Sequence, residues 1–174
     1  MAVALRVASA RARRYARALR ADAAALLAAM GLGRCELSVL VVDDAAIRAL
    51  NREFRAKDSP TDVLSFSQLD EVGQPAPDPN RLNNAATTIL GDVVISIDTA
   101  LRQAREYEVA PAARLRTLMI HGLLHLIGYD HERSPSEARR MFARERALTT
   151  AIAAKGARRP IPARKPGTGK RKLR

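Results

Sequence analysis

The chain's chemistry is concentrated in eleven residues, His121-Gly122-Leu123-Leu124-His125-Leu126-Ile127-Gly128-Tyr129-Asp130-His131. His121 and His125 are four residues apart, so on a helix they share a face, one turn above each other, and both can address a single ion. A third ligand needs a chain that has left the helix and turned back. Gly128 suits that exit, because glycine enters the left-handed region without a Cβ penalty, and His131 follows after a short turn. Three imidazoles with an open coordination position describe a catalytic zinc site better than a structural one. The chain contains only three His, and all lie in this stretch. The competing readings are three unrelated histidines, or a ligand set for a purely structural metal.

The spacing matches the metzincin signature His-Glu-x-x-His-x-x-Gly-x-x-His with one departure. Where those proteases carry a general-base Glu, this sequence has Gly122. A metal is expected on His121, His125 and His131, and the protease base is missing.

The elements that must position these ligands are legible in hydrophobic periodicity. Val3, Leu5 and Val7 alternate as a short strand exposed on one side. From about Ala10 to Met30 the period is helical, with Tyr15, Leu19, Leu26 and Met30 on one face, Arg13, Arg17 and Arg20 on the other, and Gly31 and Gly33 at the end. Glu36–Val42 predicts an interior strand, Leu37, Val39 and Val41 facing one way and Leu40 and Val42 the other. Asp43 or Asp44 caps a helix to about Phe54, with Ile47, Leu50 and Phe54 as its core stripe. Residues 55–60 form a polar loop and Thr61–Phe66 the next strand. Glu71–Ala86, with three Pro and four Gly or Asn, reads as a mobile excursion. Ile89–Ile97 is apolar around Gly91-Asp92 and predicts a hairpin-like return. Asp98 is expected to cap a helix to about Glu108 that carries Leu101 and Tyr107. Pro111 opens the helix with the first two histidines. Ser134-Pro135-Ser136-Glu137 is a start signal for a last helix reaching about Ile152. The sum is an α+β domain, a small mixed sheet covered by helices.

The 174 residues fit one domain with a real core. The expected division is a single catalytic domain over 1–154 and a disordered basic tail over 155–174. The lone Cys35 cannot form an internal bridge and reads as a buried small hydrophobe, so disulfide scaffolds and Cys zinc fingers are excluded. Net charge is +12, with six Arg and no acid in residues 1–20 and nine Lys or Arg and no acid in 155–174. The segment between, 21–154, holds 15 basic and 18 acidic residues, a net of −3. Basic ends on a slightly acidic body favour a polyanionic partner, although a solubilising surface is the plainer alternative. No run approaches a membrane span. The Arg- and Ala-rich N-terminus lacks the order of a secretion signal, so a cytoplasmic location is expected.

Several blocks together resemble one family. His121-Gly-x-x-His125-Leu-x-Gly128-Tyr129-Asp130-His131, Leu50-Asn51-x-x-Phe54-Arg55, Thr61-Asp62-Val63-Leu64-Ser65-Phe66 and Leu90-Gly91-Asp92-Val93 are similar to those of the YbeY family of bacterial rRNA-maturation endoribonucleases. Met141 and Glu145 also fall where the family would place them. The similarity covers roughly residues 36–150. It departs at Ser67-Gln68, where the family often has a proline, and in the 71–86 excursion and the tail.

The resemblance implies a zinc-dependent, single-strand-specific endoribonuclease acting in 16S rRNA 3′-end processing and ribosome quality control. It implies one zinc on His121, His125 and His131, Arg55 as the functional arginine, a mixed four-stranded sheet, and single-stranded rRNA and ribosomal particles as partners. Two routes stay open, a zinc hydroxide attacking phosphorus or activation of the RNA 2′-OH. Arg55 would bind the scissile phosphate. Asp130 either orients a ligand imidazole or caps its turn, and Asp62 and Asp92 read as local backbone or Arg partners. The rival classes are a zinc metallopeptidase-like hydrolase and a non-catalytic ribosome-associated zinc protein.

Overall fold

A computed structural model describes residues 2–69 and 88–157. Strand β1 (Ala2–Val7) is followed by a 3-10 turn over Ala10–Tyr15 and helix α1 (Ala16–Ala29), which ends where Gly31 takes φ 71°. Then come β2 (Cys35–Val42), α2 (Asp44–Arg55), β3 (Val63–Ser67) and β4 (Thr88–Ser96). Helices α3 (Ile97–Glu106), α4 (Pro111–Leu126) and α5 (Pro135–Ala157) complete the order. The four strands form one mixed sheet in the order β1-β2-β4-β3. β1 and β4 run parallel to β2, and β3 pairs antiparallel with β4 at the edge.

Alternation along the strands divides the core in two. Leu37, Val39, Val41, Val93 and Ile95 pack with the buried residues of α1, α4 and α5, including Leu26, Met119 and Met141. The opposite residues, Val42, Leu64 and Val94, meet Ile47 of α2, with Leu40, Leu50 and Phe66 partly buried beside them. Both faces of β2 are covered, as its near-continuous apolar run requires. Cys35 is fully buried, and burial pushes its thiol pKa up.

Four local expectations need correction. Asp43 caps α2, its carboxylate accepting from the Ala46 N–H at 2.8 Å, but Phe54 is no core residue. It is 59% exposed, and its aromatic contact among the described residues is Phe66, 5.0 Å between centroids. Ser96, not Asp98, caps α3, accepting from the Thr99 N–H at 3.2 Å. Asp98 instead bonds Arg11 and the Asp44 N–H. Tyr107, expected on the apolar face of α3, is 52% exposed beneath the Arg114 guanidinium. Gly91-Asp92 does not turn. It lies inside β4, and the return is the antiparallel pairing of β3 with β4. Gly91 has φ 128°, and a Cβ there would meet the Phe66 carbonyl oxygen at 2.1 Å, so glycine lets the edge strand close on β4.

The last helix runs past Ile152 to Ala157, so residues 155–157 of the expected tail are helical. The excursion at 71–86 and residues 158–174 lie outside the described residues. Among the described residues no helix is long and apolar enough to cross a membrane.

Candidate metal centre

Helix α4 carries the first two histidines and is fixed from three sides. Pro111 occupies its first turn, where a missing N–H costs nothing. Its sheet side meets β3 and β4 through Gly122, where a Cβ would sit 2.6 Å from a Val93 methyl and 3.1 Å from Ser65 Oγ. That close approach is why the residue after His121 is glycine. A side chain there would force Val93 or α4 to shift, and a Glu would have to do so with its carboxylate packed against the sheet. Two hydroxyls on the same face of β3 donate to α4 carbonyls, Ser65 Oγ to Gly122 O at 3.1 Å and Ser67 Oγ to Leu126 O at 2.9 Å. Arg116 donates to Asp22 of α1 at 2.8 Å in a mostly buried pair. Arg114 reaches Asp62 beside β3 at 3.3 Å.

The helix ends in a Schellman motif. Tyr129 N–H donates to Leu124 O and Gly128 N–H to His125 O, both at 3.0 Å, with Gly128 at φ 89°. The reversal brings His131 beside the first two rings. Centroid separations are 4.8 Å (His121–His125), 5.2 Å (His121–His131) and 5.1 Å (His125–His131), a near-equilateral triangle. One ligand nitrogen from each ring lies within 4.8 Å of the others. The Nε2 atoms of His121 and His125 stand 3.2 Å apart, close to the ~3.3 Å between two nitrogens on a tetrahedral zinc with bonds of about 2.0–2.1 Å.

The protonation of the rings fits a metal. Glu145 of α5 lies 2.8 Å from His121 Nδ1, so that nitrogen carries the proton and Nε2 keeps its lone pair for an ion. Burial, and then the neighbouring His121 and His131, push the pKa of His125 down to about 4. The ring is therefore neutral near pH 7, as a ligand must be. The two Nε2 atoms face each other at 3.2 Å with His131 beside them, and this donor set fits one zinc.

Asp130 lines a cavity together with the three rings. Its carboxylate accepts from the Glu132 N–H at 2.8 Å and caps the turn. Glu145 is the carboxylate on a ligand ring. It was visible in the sequence only as part of a resemblance, with no role attached, because 24 residues and a turn separate it from His121. Phe142, one turn before Glu145, stacks on His131 at 5.6 Å and 21°. Asp62 accepts from Val63 N–H, Gln103 and Arg114, the backbone and Arg partners expected of it, whereas Asp92 accepts from the Gln68 side-chain amide at the neighbouring strand end, neither of the two kinds of partner expected.

The rings open into a cavity of about 800 Å³ along β3, which Arg55 and Lys57 also line. A smaller cavity of about 210 Å³ lies on the other side of His121, against Arg114 and Phe142. Arg55 is the last residue of α2, and its backbone is held from both sides. Ala56 turns left-handed at φ 55°, Lys57 N–H donates to Asn51 O at 3.2 Å, and Asn51 Nδ2 donates to Ser59 O at 2.8 Å. Arg48 grips Asp58 with two bonds of 2.9 Å. The Arg55 side chain is exposed and in no ion pair among the described residues.

Fold and site together define a small α+β protein with a three-histidine site for one zinc ion, open to a long groove. A family profile described as Endoribonuclease YbeY matches residues 5–153. A protein of that name from Anaeromyxobacter sp. is 50% identical over 147 residues, covering 84% of this chain and 70% of the relative. Its namesake from Anaeromyxobacter dehalogenans is 49% identical over 144 residues, 83% of this chain and 68% of the relative. A solution structure of a Thermotoga maritima protein covers 94% of this chain and 99% of its own at a TM-score of 0.59 and 22% identity, a likeness of fold. The chain belongs to the endoribonuclease YbeY family.

Proposed function

We infer that this protein is a zinc-dependent endoribonuclease that cuts single-stranded rRNA, acting in 16S rRNA 3′-end maturation and ribosome quality control. The observation that carries the reading is the meeting of three ligand nitrogens and Arg55 in one groove, in a chain of this family. His121 and His125 on α4, and His131 beyond the Gly128 reversal, hold the ion with a metzincin-like ligand spacing. When bound, the ion supplies Lewis acidity at the scissile phosphate. Arg55 donates from its planar fork to the non-bridging oxygens and offsets charge in the transition state. Glu145 keeps the proton on His121 Nδ1, and Asp130 holds the turn that presents His131. The catalytic unit is the domain up to the end of α5, the basic residues beyond it serve as a tether for RNA, and the protein works in the cytoplasm.

A peptide-hydrolase reading has one point in favour: β3 is an edge strand along the groove, and such edges accept extended peptides. It fails on the base, since Gly122 is packed against Val93 and Ser65. The deciding experiment is metal analysis of purified protein coupled to cleavage of defined rRNA fragments and of unstructured peptides, with and without a chelator. One zinc per chain and chelator-sensitive cleavage of RNA alone are expected. Peptide cleavage without RNA cleavage supports the hydrolase instead, and a zinc-loaded protein that cuts neither is a binding module.

A further inference from the structure

The chain has three Phe and no Trp, and none of the Phe is fully buried. Phe54 and Phe66 line the larger cavity and Phe142 the smaller one. Rings of this size are ordinarily the first candidates for burial, and here the core is made of Leu, Ile, Val, Ala and Met instead. Phe142 lays its ring on His131. Phe54 has no such duty. It is 59% exposed and meets Phe66 edge to face, 5.0 Å between centroids and 71° between planes. Phe66 is partly buried against Ile47, Leu64 and Val94, so it braces its partner from below. The next residue, Arg55, and Lys57 line the same cavity, as do Asp62, Asp130 and Glu132.

We propose that Phe54, braced by Phe66, is a stacking platform for one nucleobase of the single-stranded RNA, beside the phosphate held at Arg55. This rests on the endoribonuclease reading and names what selects its substrate. Every base has a π-face, so a platform of this kind grips RNA without reading sequence. A base held in a duplex cannot turn out to meet it without losing its pairing and stacking, which makes the platform selective for single strands. Arg55 at the end of α2 and Lys57 just past it follow Phe54 in sequence and hold the backbone beside the platform. The occupant is a nucleobase and not an apolar protein segment, because an exposed ring that shares its cavity with a metal site and two cations suits a chain that alternates anionic and aromatic groups.

Phe54→Trp tests this, since it introduces the only Trp in the protein. Its fluorescence should fall when a short 2′-O-methyl single-stranded RNA is added to the zinc-loaded protein. The same oligomer made abasic, or annealed into a duplex, should leave it nearly unchanged. Phe54→Ala and Phe54→Leu should raise KM for single-stranded RNA about tenfold, within the roughly 5- to 150-fold that one stacked base contributes, with kcat and zinc content retained. Phe54→Tyr should stay near wild type. Equal quenching by the abasic oligomer, or a Leu variant that binds as well as Phe, overturns the platform and leaves a merely apolar contact. Wild-type KM in Phe54→Ala, with wild-type protein active, overturns the platform alone. Wild-type protein that neither binds nor cuts RNA overturns the endoribonuclease reading and the platform with it.

Discussion

At the scale of single residues the site depends on a hydrogen bond that leaves the metal face altogether. Glu145 accepts from His121 Nδ1 at 2.8 Å, fixing both the tautomer and the ring plane, and such outer partners typically contribute 10- to 100-fold to metal affinity. Glu145→Ala is therefore expected to weaken zinc binding by about that factor, read by competition with a chromogenic chelator, while Asp130→Ala changes it far less because its carboxylate serves Glu132 N–H. Equal losses in the two variants would show that the turn matters as much as the tautomer. Arg55 is the other residue that singles itself out, exposed at the groove and without a carboxylate partner among the described residues. Arg55→Lys should lose most of the cleavage rate on single-stranded RNA with zinc content unchanged, since an ammonium is a point charge and not a planar fork. Wild-type turnover in that variant would remove Arg55 from the chemistry.

Among the elements, α4 does most to define the centre, and its close approach to the sheet sets what chemistry is available. A Cβ at Gly122 would lie 2.6 Å from Val93 Cγ1. Gly122→Ala should thus destabilise the fold by roughly 1–3 kcal/mol, the usual cost of overpacking, as measured by denaturant unfolding of the zinc-free protein. A variant as stable as wild type would mean that α4 can shift off β4. The element order, the two-faced β2 and the Pro111 and Ser134 helix starts were legible in the sequence, because periodicity and caps act within a few residues. So was the histidine triad, whose spacing encodes one helical turn and one reversal. Phe54 was misplaced because a helical stripe says which face an apolar residue shares, and not whether the neighbouring element extends far enough to cover it. Ser96 was missed as a cap because Asp98, two residues on, offered a stronger acceptor on paper. Its carboxylate is instead drawn to Arg11, 87 residues away. Glu145 and the Ser65 and Ser67 bonds join distant segments, and nothing in local spacing announces them.

For the molecule as a whole, the open question is how a body with a net charge of −3 over residues 21–154 attracts a polyanion. The exposed Arg13, Arg17 and Arg20 near its N-terminal end supply part of the attraction. The eight Lys and Arg of residues 158–174 supply more. Deleting 158–174 should leave folding and zinc content intact, weaken binding to rRNA at low salt, and flatten the plot of log affinity against log salt by ~0.7 for each phosphate that the shortened chain no longer neutralises. The cleavage position should not move, because binding to the phosphate backbone carries no sequence information. Superimposable salt titrations would make the tail a solubilising extension. The central claim, that the three histidines hold the one ion on which RNA cleavage depends, is tested most directly by returning zinc stepwise to chelator-stripped protein while following cleavage of a single-stranded rRNA fragment. Activity should rise linearly and level off at one zinc per chain, and His125→Ala should stay inactive throughout. Full cleavage by the stripped protein, or a plateau that His125→Ala reaches equally well, would contradict it.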